Sequence, residues 1–223
     1  MHRLLATLIE CGYVVQNKRT SRYRLSHKVV ALAGGPELRV ARLCAIAHPH
    51  LEAIRDHSDE TTNLVVLERF TAAYVDQAES SRAVRMFTQI GGRVAAHATG
   101  AGKAMLAFQP EAVRADLLAA APYKSLTSHT ITSAAAMRQE LDRVQARGYA
   151  IENGEYEADV GCVAVPILDD NGHTIAAISV SAPLARLQQL DMANLATFMS
   201  GHTHEMSQEL GYEGSSPAAV SAT

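Results

Sequence analysis

The sequence has few cysteines, and they are scattered. Cys11, Cys44 and Cys162 are odd in number and lack C-x-x-C spacing, so neither a disulfide framework nor a zinc finger is indicated. The chain also lacks an uninterrupted apolar run of about 18 residues and the small-residue cleavage site of a secretory signal. These absences predict a soluble, cytoplasmic protein whose cysteines are free thiols.

Acidic charge is scarce at one end of the chain. Residues 1–39 carry seven basic and two acidic side chains, whereas the remainder carries 13 basic and 21 acidic ones, for a net charge of -3. The basic N-terminal end is therefore a candidate for contact with a polyanion, and the acidic remainder is not.

The N-terminal end has the pattern of a helix followed by a basic hairpin. The stretch His2 to Cys11 places apolar residues on one stripe and ends at Gly12, where a left-handed cap is favoured. Two β-prone runs, YVVQ and RYRLS, flank the polar turn NKRTS. This order is typical of the end of a winged helix-turn-helix, although composition alone slightly favours a solvated surface hairpin. No capping residue precedes His2, so we expect the start of this helix to be missing.

The middle of the chain changes from helical to mixed patterning. Gly34-Gly35-Pro36 marks a boundary, and a helix is predicted from Leu38 to about His57, kinked or divided by Pro49. It is a linker helix that packs either on a second subunit or on its own domain. An α+β module with an antiparallel sheet is predicted beyond it. Its strands are TNLVVLE, AAYVDQA, VRMFTQI, YAIE, CVAVPIL and HTIAAISVS, and its helices are Gly100 to Phe108, Pro110 to Ala120, Ala134 to Arg147 and about Gln188 to Leu210.

The stretch HATGAGKAMLAF resembles a phosphate-binding loop but does not meet the sequence requirements of that motif. A P-loop needs glycine five residues before Gly102 and a hydroxyl after Lys103, where the chain has His97 and Ala104. Thr99 is instead a candidate N-cap, and the small residues behind it would let backbone amides approach an anion closely. The stretch therefore predicts a place to hold a small acid, or simply a helix start packed tightly on a sheet.

The last two strands form a hairpin whose register can be predicted. With Asn171-Gly172 as a two-residue turn, Asp170 pairs with His173, Cys162 lies opposite Ser181, and Ala164 lies opposite Ser179. A four-residue loop would shift these partners but keep the four residues on one face, whereas a three-residue loop would break the argument. Opposed residues share a face, so two hydroxyls and a thiol share one side of an apolar hairpin, with Ala176, Ile178 and Val180 on the outer side. A ligand carboxylate or carbonyl would satisfy them, although bonds to the sheet or to water are the commoner arrangement.

Several long segments, in order, carry a resemblance to a known family. They are HRLLATLIECGYV with YRLS, HPHLEAIRDHSDETTNLVVLE, GGRVAAHATGAGKAMLA, RGYAIENGEYEADVGCVAVPI and GHTIAAISVSAP. Over nearly its whole length the chain resembles the IclR-type bacterial transcriptional regulators. The resemblance implies a winged helix-turn-helix, a dimer-forming linker helix and an effector domain similar to GAF and PAS sensor folds. It also implies a dimer or tetramer on promoter DNA that responds to a small organic acid, possible classes being aromatic and oxo acids.

The resemblance assigns boundaries and site residues. The implied parts are a partial winged helix-turn-helix at 1–33, a linker helix at 34–57, an effector domain at 58–212 and a disordered tail at 213–223. Family members carry further helices before the position of His2. The implied DNA contacts are His2, Arg3, Lys18, Arg19, Arg22 and Arg24. The implied effector contacts are Cys162, Ser179, Ser181, Glu152, Gly100 and Ala101, with an apolar lining of Ala83, Met86, Val94 and Val160.

Three other interpretations follow from the residues. Cys162 with a base such as His97 could act as a nucleophile, but nothing local in the sequence lowers a thiol pKa. The pairs His48-Pro49-His50 and His202-x-His204 lack the i, i+4 spacing of helical metal ligands, so no metal and no cofactor are predicted. With its first helices missing, the chain could instead be a ligand-binding and dimerisation module without competent DNA binding.

Overall fold

The structure is a computed structural model that describes residues 2–16, 23–25 and 36–214. By its internal contacts the chain separates into two compact units, Met1–Ala45 and Ile46–Thr223. Within the described ranges, no helix combines the length and the apolar character needed to cross a membrane. The predicted wing residues Lys18, Arg19 and Arg22, the side chains of His2, Arg3 and Arg24, and nearly all of the predicted disordered tail lie outside what the structure describes.

The first unit contains the predicted helix and hairpin. Helix α1 spans His2–Glu10, and Gly12 follows its end with a φ of 76°, the left-handed conformation expected from the sequence. Strands β1 (Val14–Gln16) and β2 (Tyr23–Leu25) pair antiparallel. The helix and hairpin order is thus confirmed, and its identity as the end of a winged helix-turn-helix stays a prediction.

The helix that follows runs through a proline without a break. Helix α2 spans Pro36–Ser58 with Pro49 inside it, so of the two predicted effects of Pro49 the division of the helix is wrong, while a kink stays a prediction. A proline in a helix interior costs about 3 kcal/mol. Beside Pro49, the side chains of Ala47, Leu51 and Ile54 are fully buried. Burial of a leucine or isoleucine side chain such as Leu51 or Ile54 stabilises the folded state by roughly 1.5–3 kcal/mol. Packing of this apolar stripe offsets the loss.

The second unit is built on one antiparallel sheet of six strands, as the α+β prediction required. Its order across the sheet is β5-β4-β3-β8-β7-β6, and each neighbouring pair is antiparallel. The strands are β3 Thr61–Glu68, β4 Thr71–Ala78, β5 Arg93–Ala95, β6 Ala150–Asn153, β7 Val160–Leu168 and β8 Thr174–Pro183.

Helices cover this sheet, and their ends follow ordinary capping chemistry. The helices are α3 Gly100–Ala107, α4 Glu111–Ala120, α5 Ala134–Arg147, the short α6 Leu184–Leu187 and α7 Met192–Glu209. The predicted cap Thr99 accepts a hydrogen bond from the Gly102 amide. The last helix starts later than the predicted Gln188, because the Asp191 side chain caps it by accepting from the Asn194 amide.

Helix α3 and its neighbours pack on one face of the sheet. A cluster of buried small side chains joins α3 to the strands, including Ala101 and Ala104 of the helix, Ala164 of β7 and Ala177 of β8. The opposite face of β7 and β8 is buried as well, and β7 contacts α7 there. Ala176, Ile178 and Val180 are fully buried, so the expectation that they form an outer side is wrong.

The segment VRMFTQI is not a strand. Residues 84–90 are irregular, and Val84, Phe87 and Ile90 are 68%, 75% and 55% exposed. Their spacing of three does not give the alternation that a half-buried strand needs. The strand β5 that does form nearby has only three residues, too few for a periodic pattern.

The hairpin of β7 and β8 reaches the predicted register by a different route. The Asp169 amide donates to the His173 carbonyl at 2.9 Å, so the loop has three residues and the predicted pairing of Asp170 with His173 is wrong. A bulge on the β8 side, where Ile175 is the extra residue between Thr174 and Ala176, then restores the count, since Ile167 pairs with Ala176. Cys162 therefore lies opposite Ser181 and Ala164 opposite Ser179, as predicted.

Candidate effector site

A cavity of about 230 Å³ opens between the start of helix α3, the sheet and the irregular segment that follows β4. Three groups of residues line it. From the sheet come Tyr74, Arg93, Val94, Glu152, Val160, Cys162, Ser179 and Ser181; from the irregular segment come Met86, Phe87, Thr88, Gln89 and Gly92; from α3 and the loop after β6 come Thr99, Ala101, Tyr156 and Glu157.

The polar floor of this cavity follows directly from strand register. Glu152 of β6 pairs with Cys162 of β7, Cys162 pairs with Ser181 of β8, and Ser181 pairs with Thr61 of β3. Directly opposed residues share a face. Four polar side chains thus form a row across four neighbouring strands, and Ser179 lies two residues along β8 on the same face.

One end of the row is tied into a network of side-chain hydrogen bonds. The side-chain amide nitrogen of Asn63 donates to the Ser181 hydroxyl at 3.3 Å. The Thr88 hydroxyl lies 2.6 Å from the side-chain oxygen Oδ1 of Asn63. Thr61 donates to the Met86 carbonyl at 3.0 Å. The network fixes Ser181 and anchors the irregular segment at the cavity wall, because each buried polar group has a partner there.

The glycines of the GAGK stretch allow close packing of helix α3. A Cβ added at Gly100 would lie 2.5 Å from the Cys162 Sγ atom, and one at Gly102 would lie 2.1 Å from the Ala96 carbonyl oxygen. The backbone amides of Gly100 and Ala101 face the Cys162 thiol and favour its ionised form. The helix start is therefore packed tightly on the sheet, and its role in holding a small acid stays a prediction.

Lys103, the residue that suggested a phosphate loop, is not free to bind phosphate. Its side chain is only 1% exposed and forms an ion pair with Glu155. Glu152 lies beside this pair, and its Oε1 atom accepts from the Glu155 amide at 2.6 Å and from the Tyr156 amide at 3.2 Å. Strand β6, the segment after it and helix α3 thus bring two buried carboxyl groups and one ammonium group together beside the cavity.

Burial controls the protonation of these groups. It raises the pKa of Glu152 to about 7, against the two backbone amides that favour its ionised form. Burial also raises the pKa of Glu155, while Lys103 acts in the opposite direction. Near neutral pH a fraction of Glu152 is protonated and can donate a hydrogen bond to a ligand oxygen.

Cys162 lies in the wrong environment for a nucleophile. Burial and the nearby Glu152 raise the pKa of its thiol to about 12, so it stays neutral at physiological pH. The proposed base His97 is outside the residues that line this cavity, and its Nε2 atom lies 3.1 Å from the Lys124 carbonyl oxygen. The two residues of the nucleophile hypothesis are therefore not brought together.

Most of the predicted effector residues line the cavity. Eight of the ten do so: Cys162, Ser179, Ser181, Glu152, Ala101, Met86, Val94 and Val160. Gly100 does not line the cavity and packs against the Cys162 side chain instead. Ala83 is exposed and immediately precedes the irregular segment 84–90, part of which lines the cavity. The assignment of these residues to a ligand stays a prediction.

The residues that sequence reasoning missed come from parts of the chain without a hairpin signal. Tyr74 is one of them; burial raises the pKa of its hydroxyl, which therefore stays protonated as a donor. Thr88 and Gln89 belong to the segment wrongly predicted as a strand. Thr99 is predicted from the sequence only as a helix cap. An alternation in AAYVDQA that places Tyr74 and Asp76 on one side is the one sequence signal for Tyr74.

The fold and site together define a ligand-binding α+β domain preceded by a helix and a basic hairpin, which is the class of a small-molecule-responsive regulator. Comparison with known proteins gives the family. The model of the bacterial transcriptional regulator IclR C-terminal domain matches residues 37–208. The regulator XynR of Escherichia coli is 31% identical over 216 residues, which are 95% of this chain and 84% of XynR.

Comparison with solved structures gives the same family. The IclR protein of Thermotoga maritima superposes with a TM-score of 0.74 at 30% identity, covering 95% of this chain and 85% of that one. An IclR homolog from Microbacterium hydrocarbonoxydans, crystallised as a complex with 4-hydroxybenzoate, superposes with a TM-score of 0.69 at 26% identity, covering 94% and 84%. The chain belongs to the IclR family of bacterial transcriptional regulators.

Proposed function

We propose that this regulator senses a small organic acid, aromatic or oxo, in the cavity above the polar row and couples its occupancy to promoter binding as a dimer or tetramer. The observation that carries the proposal is the row of Glu152, Cys162 and Ser181 facing the amides at the start of α3. The 4-hydroxybenzoate complex of the Microbacterium homolog supports an acid as the ligand class.

The groups around the cavity match a carboxylate at one end and an apolar body at the other. The Ser179 and Ser181 hydroxyls can donate to carboxylate oxygens, and the positive end of α3 favours an anion there. Protonated Glu152 adds a third donor. Val94 and Val160 offer an apolar wall for the rest of the molecule. The pocket therefore selects an acid with a compact apolar part.

The size of the cavity limits the ligand. Its volume of about 230 Å³ lies below the roughly 300–1,000 Å³ of pockets that hold drug-sized molecules. A single ring or a short chain fits this volume, and a nucleotide does not. The buried ion pair of Lys103 with Glu155 gives the same conclusion, because the one lysine in the GAGK stretch is already neutralised.

A thermal-shift screen against small oxo acids, aromatic acids and ketones tests the sensor. We expect a ligand that raises the melting temperature of the wild type, since a compound that binds only the folded state stabilises it. The shift should disappear in the double variant Ser179→Ala with Ser181→Ala. Ile178→Val, on the same strand but the opposite face, should lower the starting temperature and keep the shift.

Failure of this screen has a definite meaning. A double serine variant that responds as strongly as the wild type would place the ligand elsewhere. If no acid or ketone shifts the wild type, the proposed ligand class is wrong, and the domain would signal through association between chains.

DNA binding by this chain is the second part of the proposal. The basic residues Lys18, Arg19, Arg22 and Arg24 are assigned to phosphate contacts, which fix position without specifying sequence. Neutralising all four should weaken binding to every duplex alike and reduce the salt dependence of log K by about 0.9 for each phosphate that the protein no longer neutralises. A weakening confined to one operator would contradict this role and assign base contacts to the wing.

The same DNA-binding measurement on the wild-type chain distinguishes a DNA-binding regulator from a module that only binds a ligand and dimerises. If the wild-type chain binds no duplex while it still binds its acid, it functions as a ligand-binding and dimerisation module. Catalysis is not proposed, since the compared relatives are transcriptional regulators and the Cys162 thiol is held neutral. A cytoplasmic location and the choice between dimer and tetramer stay predictions, the latter testable by sedimentation.

A further inference from the structure

A row of aromatic rings joins the second half of helix α2 to helix α7, away from the effector cavity. His57 of α2 stacks on Phe198 of α7 with ring centroids 3.8 Å apart. His202, one turn further along α7, meets the edge of Phe198 at 4.8 Å, and His50 of α2 meets the edge of His202 at 5.2 Å. The contact between the two helices is therefore rich in imidazole.

At one end of this row three ligand-type atoms converge. The Nδ1 atoms of His50 and His202 lie 2.9 Å apart, and Glu205 Oε2 lies 3.9 Å from His50 Nδ1. All three residues offer atoms within 4.8 Å of one another. His202 and Glu205 are three residues apart on α7, which places them on one helix face. Bundle metal sites use the same i, i+3 pairing of a histidine and a carboxylate.

These distances fit a metal ion. Ligands held about 2.1 Å from an ion lie about 3.0 Å apart at a right angle and about 3.4 Å apart at the tetrahedral angle. The two separations from His50 Nδ1, 2.9 Å to His202 and 3.9 Å to Glu205, bracket these values, and all three atoms lie within 4.8 Å of one another, so side-chain rotations can bring them onto one ion. Without an ion, the two facing Nδ1 atoms need a single shared proton between them.

The donor set decides the class of metal. Two imidazole nitrogens and one carboxylate suit zinc and its first-row neighbours, whereas magnesium and calcium prefer oxygen ligands. His50 and His202 are half-buried, which limits competition from water, and Glu205 is 67% exposed, which gives the ion a path from solvent. Three protein ligands leave one position for a water molecule.

We propose that His50, His202 and Glu205 bind one divalent first-row transition-metal ion of the zinc class, which fixes the second half of α2 against α7. None of the three residues lines the effector cavity, so this site is separate from the proposed sensor and does not depend on it. The His-x-His pairs in the sequence concealed it, because one histidine from each pair joins the cluster while its neighbour points to another partner. His48 contacts Asp76 at 2.9 Å, and His204 lies 3.1 Å from Gln208.

The test is metal titration of the full, untagged chain, freed of metal with a chelator. Isothermal calorimetry with Zn²⁺ should give one ion per chain, and Zn²⁺ should raise the melting temperature while Mg²⁺ does not. Co²⁺ should produce visible absorption bands that Zn²⁺ abolishes by displacement. Absence of stoichiometric Zn²⁺ binding to the wild type would overturn the proposal.

Matched variants locate the ion. His50→Ala, His202→Ala and Glu205→Gln should each weaken Zn²⁺ binding by about tenfold or more, since even residues that only support a ligand contribute that much. Glu205→Gln changes an exposed side chain, so it keeps the test valid if a histidine variant folds poorly. The control His173→Ala removes a histidine from the β7–β8 turn and should leave affinity unchanged. Equal Zn²⁺ affinity in wild type and Glu205→Gln, or weaker binding by His173→Ala, would contradict the assignment.

Discussion

The two faces of strands β7 and β8 are equally buried but chemically different. On one face Cys162, Ser179 and Ser181 line the candidate effector cavity, with Glu152 beside them. On the other face Ile178 and Val180 are fully buried with no polar group to satisfy. The apolar face stabilises the fold, whereas the polar face keeps donors and a carboxyl group available at some cost in stability. Burial by itself therefore does not distinguish a core from a site.

The largest effect should come from breaking the ion pair on the cavity side. Lys103→Met leaves Glu155 buried without its partner, close to Glu152. Removal of one partner of a buried pair costs about 3–5 kcal/mol, measured as the free energy of unfolding in urea at pH 8. The double variant Lys103→Met with Glu155→Leu should recover much of this stability. A single variant as stable as the wild type would contradict the proposed cost of the polar face.

The apolar face predicts the next effect. Ile178→Ala removes a fully buried side chain and should destabilise by about 2–5 kcal/mol. Because Ile178 points away from the cavity, the thermal shift caused by the effector should persist. Disappearance of the effector shift in a variant that still unfolds cooperatively would show that the two faces are coupled.

Glu152 sharpens the comparison through pH. Its pKa in the folded chain, about 7, lies above the ordinary value of 4.5. The folded state therefore favours the protonated form, and stability should fall as the pH rises from about 4.5 through 7. Glu152→Gln, which cannot ionise, should be more stable than the wild type by roughly 1–3 kcal/mol at pH 8.

The expected difference between Glu152→Gln and the wild type shrinks toward pH 5, where both side chains are neutral. Urea unfolding at pH 5, 6, 7 and 8 measures it. A difference that stays constant over this range would assign it to packing and not to ionisation.

The smallest effect concerns the cap of helix α3. Thr99 accepts from the Gly102 amide at 3.3 Å, so Thr99→Ala should cost about 0.5–2 kcal/mol of unfolding free energy. Thr99→Ser keeps the hydroxyl and should destabilise less. If alanine and serine are equally destabilising, the methyl group and its packing matter more than the cap.

How far the sequence could predict the site depends on the element. The hairpin register followed from a turn signal and strand alternation, and it placed Cys162 opposite Ser181 even though the loop differed from the predicted one. The error cancelled because a three-residue loop and a bulge together restore the count. Glu152 and Val94 came from the family resemblance, since nothing local indicates that their strands border the same cavity.

The irregular segment 84–90 marks the limit of pattern reasoning. Its β-prone residues suggested a strand, but strand formation also requires a partner with free hydrogen-bonding groups. The β4 edge pairs instead with the short β5. Thr88 and Gln89 consequently reach the cavity from a segment whose conformation depends on side-chain anchors such as the bond from Thr88 to Asn63.

Sequence alone determined most of the order of helices and strands, the α+β class, the caps at Gly12 and Thr99, and the polar face of the last hairpin, because each depends on residues close together in the chain. Tertiary structure alone decided what meets across long separations. It buried Lys103 against Glu155, raised the pKa of Glu152, and brought His50 to His202 across 152 residues. Local patterns fix which face a side chain takes, while desolvation and contact between distant elements fix what that side chain can do.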